Sequence, residues 1–244
     1  MLAEIGKFTL ASYSLLKRAL SEWSLKEIKE TLRLCEAERL VRRFSFPDFV
    51  CFALTDLGFP RIGIEHSPQY RFKRETAIRV CQVNHLRLGI ESHLKTLSPL
   101  KLNRWISGSK FNRSPLTTSI NGKMQTVRPS GLAVVELGKE VRRLYLVDWC
   151  GKSFEQLRFN LFFYFLYQER REFAFRFHVP PDSAMRVIYL VPSYRFVFQS
   201  LKYVKRMKGA EITLFLPTGR VHLEGIMGEK VFLARDGSFR SILK

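Results

Sequence analysis

A chain of 244 residues that is 46% hydrophobic and 13% aromatic has the composition of a folded protein and can bury the core of one large domain or of a small one plus a medium one. Its 41 Lys and Arg against 22 Asp and Glu leave a net charge of +19, and self-repulsion of that size points to a polyanionic partner, with nucleic acid ahead of an acidic membrane surface. Four cysteines, Cys35, Cys51, Cys81 and Cys150, show no C-x-x-C spacing and no nearby histidine cluster, so they read as reduced buried thiols and not as a disulfide framework or zinc ligands.

In chain order, "LASYSLLKRAL" reads as a helix that breaks around Glu22-Trp23. Ser24 is then a natural N-cap, with Glu27 completing a capping box and Leu25, Ile28, Leu32 and Cys35 forming one apolar face. "LVRRFSF" and "FVCFALT" flank Pro47-Asp48 as two strands of a hairpin. Helices followed by a hairpin are the order of a winged helix-turn-helix, and "ALTDLG" resembles the step that follows the wing in many such domains. Residues 1–60 are assigned to it. Its DNA-contacting candidates are Lys26, Lys29 and Arg33 on the recognition helix and Arg42 and Arg43 on the wing. Glu27, Glu30, Glu36 and Glu38 on the same helix allow the alternative of a solvated surface or a protein contact.

The polar, irregular stretch 61–73 reads as a linker, and residues 74–244 as a second domain. A long helix or helix pair over "RETAIRVCQVNHLRLGIESHLKTL" precedes "KLNRWISGSKF" and the turn-rich "NRSPLTTSINGKM". Two strands follow in "VRPSGLAVVELGKEVRRLYLVDWCGKS", then a helix in "SFEQLRFNLFFYFLYQER", a strand in "AMRVIYLVPS", a basic helix in "YRFVFQSLKYVKRM" and a strand in "AEITLFLP". This α/β order is that of a restriction-endonuclease-like core. Phe159, Phe162, Phe163, Tyr164 and Phe165 read as core packing ahead of a base-stacking platform, because nearly every side of their helix is apolar.

Over nearly the whole chain, "ALTDLG", "HLRLGIESHL", "RWISGSKF", "VRPSGLAVVE", "LYLVDWCGKS" and "VIYLVPS" resemble in order and spacing the replication-relaxation family of plasmids and other mobile elements. That resemblance implies a winged helix joined to a degenerate PD-(D/E)xK nuclease-like domain, and a role in plasmid or transposon maintenance. Its pattern wants acids near Gly108, at Ser130 and at Leu146 and Asp148, and a lysine at Cys150, and only Asp148 matches. Glu91, Asp148 and Lys152 are what an active nuclease would have left, with magnesium as its cofactor. Too few ligands and no ammonium beside the scissile phosphate make a non-catalytic scaffold the expectation. Asp148 could otherwise end a strand and cap the helix near Ser153. His85 and His93 are not at metal-ligand spacing.

Residues 61–128 carry 13 Lys and Arg against 3 Asp and Glu, the strongest electrostatic footprint of the chain. Arg71, Lys73, Arg74, Arg79, Arg87, Lys101, Arg104, Lys110 and Arg113 are the phosphate-contact candidates there, with a second stripe in Lys202, Lys205, Arg206 and Lys208. The N-terminus lacks a signal-peptide pattern and no apolar run reaches membrane-span length, so the expectation is a cytoplasmic protein without a membrane partner. The leading reading is a non-catalytic DNA-binding protein of a mobile element, with double-stranded DNA as partner and no cofactor. The alternatives are a metal-dependent endonuclease or nickase, and a subunit of a larger nucleoprotein assembly with protein partners.

Overall fold

The computed structural model describes residues 1–64, 72–149, 153–204, 206–221 and 232–240, without the side chains of residues 142, 203 and 232. The chain divides into two compact units, Met1–Leu88 and Gly89–Lys244.

The first unit begins with α1 (Leu2–Phe8), the short strand β1 (Ala11–Ser12), α2 (Tyr13–Ala19) and α3 (Leu25–Ala37). The hairpin β2 (Val41–Phe46) and β3 (Phe49–Leu54) follows, turning at Pro47-Asp48 as the sequence suggests. β1 pairs antiparallel with β3, giving a three-stranded sheet in the order β1-β3-β2. Neither α1 nor β1 was foreseen, and the helix expected in "LASYSLLKRAL" starts only at Tyr13, where Ser12 Oγ accepts from Leu15 N at 3.2 Å.

The capping box on α3 is present in full. Ser24 Oγ accepts from Glu27 N at 3.2 Å, and Glu27 Oε2 accepts from Ser24 N at 2.6 Å. Ile28, Leu32 and Cys35 are buried with Val41, Phe52 and Leu54 of the hairpin, while Leu25 is 44% exposed and does not join them. Leu25 is the first helical residue, ahead of the turn that meets the sheet.

The compact units part within α4 (Arg74–Lys95), later than the expected linker at 61–73, of which residues 65–71 lie outside the described residues. Residues 74–88 belong to the first unit because they complete its core: Ala77 and Cys81 pack with Cys51 and Ala53 of β3. Asn84 Nδ2 donates to the carbonyls of Phe8 at 2.7 Å and Leu10 at 3.0 Å, satisfying groups at the end of α1. Cys35, Cys51 and Cys81 are reduced and buried as expected, and Cys150 lies outside the described residues.

In the second unit, β4 (Leu100–Ser107) runs into α5 (Gly108–Arg113). The stretch read as turn-rich is a separate hairpin, β5 (Leu116–Ile120) and β6 (Lys123–Val127), closed by Asn121 and Gly122 at φ 51° and 75°. Then come β7 (Gly131–Leu137), β8 (Glu140–Trp149), α6 (Phe154–Glu169), α7 (Glu172–Phe177), β9 (Ala184–Val191), α8 (Tyr194–Val204) and β10 (Thr213–Pro217). Two short strands, β11 (Phe232–Leu233) and β12 (Phe239–Arg240), complete the described residues. Seven strands form one mixed sheet in the order β12-β11-β10-β9-β8-β7-β4. β8, β9 and β10 are mutually parallel, and the other pairings are antiparallel. The α/β class holds. Leu144 and Leu146 of β8, Val187 and Tyr189 of β9 and Phe215 of β10 alternate onto one sheet face, where they bury Leu157, Leu161 and Tyr164 of α6 and Val197 and Leu201 of α8. Among the described residues no helix is long and apolar enough to cross a membrane.

Candidate nucleic-acid interface

On α3 the buried stripe of Ile28, Leu32 and Cys35 fixes which side faces water, and Lys26, Lys29 and Arg33 fall opposite it, all exposed. Their spacing of three and four residues stacks them over two turns of one helix face. On the neighbouring hairpin, Arg43 pairs with Phe52 and Arg42 with Ala53. Paired residues share a sheet face, so Arg43 stands on the α3 side with Phe52. Arg42 stands on the side covered by α4, its guanidinium 5.2 Å from the Phe44 ring centre. The wing therefore brings one of its two arginines to the face that α3 occupies.

The basic middle of the chain is less free than its charge suggests. Arg74 forms a two-point ion pair with Asp48 at the hairpin turn, Nε to Oδ1 at 2.9 Å and Nη2 to Oδ2 at 2.5 Å. The Arg74 guanidinium holds the Asp48 carboxyl below its ordinary value. Arg87 donates to Lys7 O at 2.9 Å and lies over the Phe8 ring, so it caps the end of α1. In the second unit Lys101 pairs with Glu136 at 3.8 Å, and Arg104 donates to Phe177 O. Lys73 and Arg79 on the first unit, Lys110 and Arg113 on α5, and Lys202, Arg206 and Lys208 are exposed. Arg71 and Lys205 lie outside the described residues. Of these cations Arg74 and Lys101 pair with a carboxylate and Arg87 and Arg104 donate to backbone carbonyls, contacts that sequence spacing does not reveal.

Three positions of the nuclease-like pattern, Gly108, Ser130 and Asp148, meet at one end of the second sheet. Ser107 of β4 pairs with Gly131 of β7, Gly131 pairs with Val147 of β8, and Ser130 N donates to Val147 O at 2.8 Å. None offers a metal a free charged ligand. A Cβ on Gly108 would come within 2.8 Å of Ser130 O, so the position is closed to an acidic side chain by backbone packing. Leu146 is fully buried in the core. Asp148 is 6% exposed and turned into the protein under α6: Oδ2 accepts from Tyr164 OH at 2.8 Å and Asn160 Nδ2 at 3.0 Å, and Oδ1 accepts from Trp149 N at 2.8 Å. Burial first, then the negative Asp148, raises the Tyr164 phenol well above its ordinary value and keeps it a neutral donor.

Asp148 does not cap the following helix; Ser153 does so itself, its Oγ accepting from Gln156 N at 3.2 Å. Glu91 is half-buried on α4, Lys152 lies outside the described residues, and no group of three His, Cys, Asp or Glu side chains able to hold a metal occurs among the described residues. Asn160 and Tyr164 are the partners that sequence reading missed; their spacing of four on one helix stripe was the available signal. Compared with known proteins, the chain matches no protein-family model, no curated protein and no solved structure.

Proposed function

We propose that this protein binds double-stranded DNA through α3 and the β2–β3 hairpin of its first unit, which act as the recognition helix and wing of a winged helix-turn-helix. The observation that carries the reading is the solvent face of α3: Lys26, Lys29 and Arg33 stacked opposite a buried stripe, on a helix with both ends of its capping box in place. The order helix, short strand, helix, helix, hairpin, with the short strand closing the sheet, supports the same reading. Such a helix can enter the major groove while Arg43 meets the adjacent backbone.

The second unit acts as a nuclease-like scaffold that contributes positive charge without cleaving. The strand ends that would carry metal ligands converge, yet one is closed by backbone and another holds a carboxylate already satisfied by three donors. A place in plasmid or transposon maintenance, as the family resemblance implied, belongs to this proposal. The test is fluorescence anisotropy on a labelled duplex across a salt series, comparing wild type with Lys26→Glu, Lys29→Glu and Arg33→Glu combined. Each lost phosphate contact lowers the slope of log affinity against log salt by about 1, so the triple variant flattens it by about 3 and weakens binding at low salt. Unchanged slope and affinity would overturn the assignment of the DNA face to α3.

A further inference from the structure

The aromatic residues of α6 do not share one environment. Phe163 and Tyr164 are buried in the sheet-facing core, whereas Phe162 is 37% exposed and Phe159 only half-buried. With Phe154 and Met207, Phe159 and Phe162 line an open groove of about 930 Å³ between α6 and the turn after α8. That volume lies at the upper end of those that bind small organic ligands. Phe154, Arg158 and Phe162 recur every four residues, so aromatic rings and a guanidinium alternate along one helix stripe. Lys208 stands on the opposite wall, and Glu155 is the one acidic residue of the lining.

The walls are held in place before any ligand arrives. Phe154 stacks face to face on Phe196, ring centres 5.2 Å apart and planes 6° from parallel. Lys208 Nζ sits 5.7 Å from the centre of the Phe165 ring. Gly209, at φ 89°, lets the turn approach α6 closely; a Cβ there would come within 2.7 Å of Leu161 O and 2.9 Å of Phe165 Cβ. A single exposed phenylalanine is ordinary on a protein surface, but here exposed Phe162 converges with half-buried Phe154 and Phe159 on one groove that has cations on both walls.

We infer that this groove binds the unpaired bases of a single-stranded nucleic acid, stacked on Phe159 and Phe162 with flanking phosphates on Arg158 and Lys208. The ligand has to offer planar apolar faces and negative charge at short intervals, and a single strand supplies both. Base stacking on aromatic rings tolerates any sequence, because every base has a π-face. The surroundings favour a polyanion, since residues 89–244 carry 26 Lys and Arg against 12 Asp and Glu. The site is built from residues of the second unit alone, and the inference does not rest on the α3 reading.

The experiment measures anisotropy with three probes: a short oligothymidylate, an abasic phosphodiester of the same length, and a duplex. Wild-type protein is expected to bind the oligothymidylate more tightly than the abasic strand. Phe162→Ala should weaken the oligothymidylate about ten-fold while leaving the abasic strand and the duplex unchanged. Phe162→Trp should retain binding, and Phe175→Ala, which removes a ring that is 91% exposed but outside the groove, should change nothing. Equal wild-type affinity for the base-bearing and abasic strands overturns the inference without touching duplex binding. So does a Phe162→Ala protein that binds oligothymidylate like wild type, including the case in which an acidic amphipathic peptide occupies the groove instead.

Discussion

Asp148 ties β8 to α6. A buried carboxylate is tolerated when its lone pairs are met, and Tyr164, Asn160 and the Trp149 amide donate to those of Asp148. Asp148→Asn replaces one acceptor oxygen by a donor facing other donors. It should lower stability by about 1–3 kcal/mol, and Tyr164→Phe, which leaves the carboxylate one bond short, should cost a similar amount. Thermal denaturation followed by circular dichroism reads both losses. Incubation with supercoiled DNA in magnesium and then manganese should leave the DNA intact for wild type and Asp148→Asn alike. A variant that keeps wild-type stability while wild type alone nicks DNA would make Asp148 a metal ligand instead of a tether.

Among the elements, α3 and α6 each owe their role to a division between faces. The first turn of α3 carries Lys26 and is pinned by the Ser24–Glu27 reciprocal bonds. The Ser24 side chain and backbone hold the Glu27 carboxyl below its ordinary value of 4.5. With a lowered folded-state pKa, that contribution is present above the ordinary carboxylate range and is lost as pH falls through the folded value. Ser24→Ala should lower stability by about 1 kcal/mol in urea unfolding. Fraying that turn should also weaken duplex binding, since the backbone under Lys26 loses its fixed position. Unaltered duplex affinity in a measurably destabilised Ser24→Ala protein would detach Lys26 from the DNA face.

For the molecule as a whole, the +19 charge is a standing repulsion that the two cores must outweigh. In the second unit the core includes three buried phenols, Tyr145, Tyr164 and Tyr167, each pushed above the ordinary value of 10 chiefly by burial. A raised folded-state pKa means that the stabilisation is complete below the unfolded value and disappears as pH rises toward the folded one. The melting temperature should therefore fall as pH climbs past 10, with the phenolate absorbance of these three tyrosines developing together with unfolding. Their ionisation near pH 10 while circular dichroism remains native would contradict this packing.

Sequence alone determined what is written within a few neighbouring residues. The α3 capping box and buried stripe, the turn at Pro47-Asp48, the alternation of helices and strands behind it and the excess of cations all follow from local propensity, periodicity and composition. The β5–β6 hairpin is equally local: Asn121-Gly122 supplies the two positive φ angles that a two-residue turn requires. Only the tertiary structure decided the rest. That residues 74–88 complete the first core, that Arg74 and Arg87 are held by Asp48 and Lys7, that Gly108 has no room for a side chain, and that Asp148 points under α6 all depend on pairs far apart in sequence. The aromatic run of α6 shows the difference most directly. Its residues are apolar on nearly every side, and only the sheet below and the turn after α8 decide which rings become core and which face a groove. Local bonding is fixed by a residue's neighbours along the chain, whereas burial and pairing are fixed by whatever the fold brings across from elsewhere.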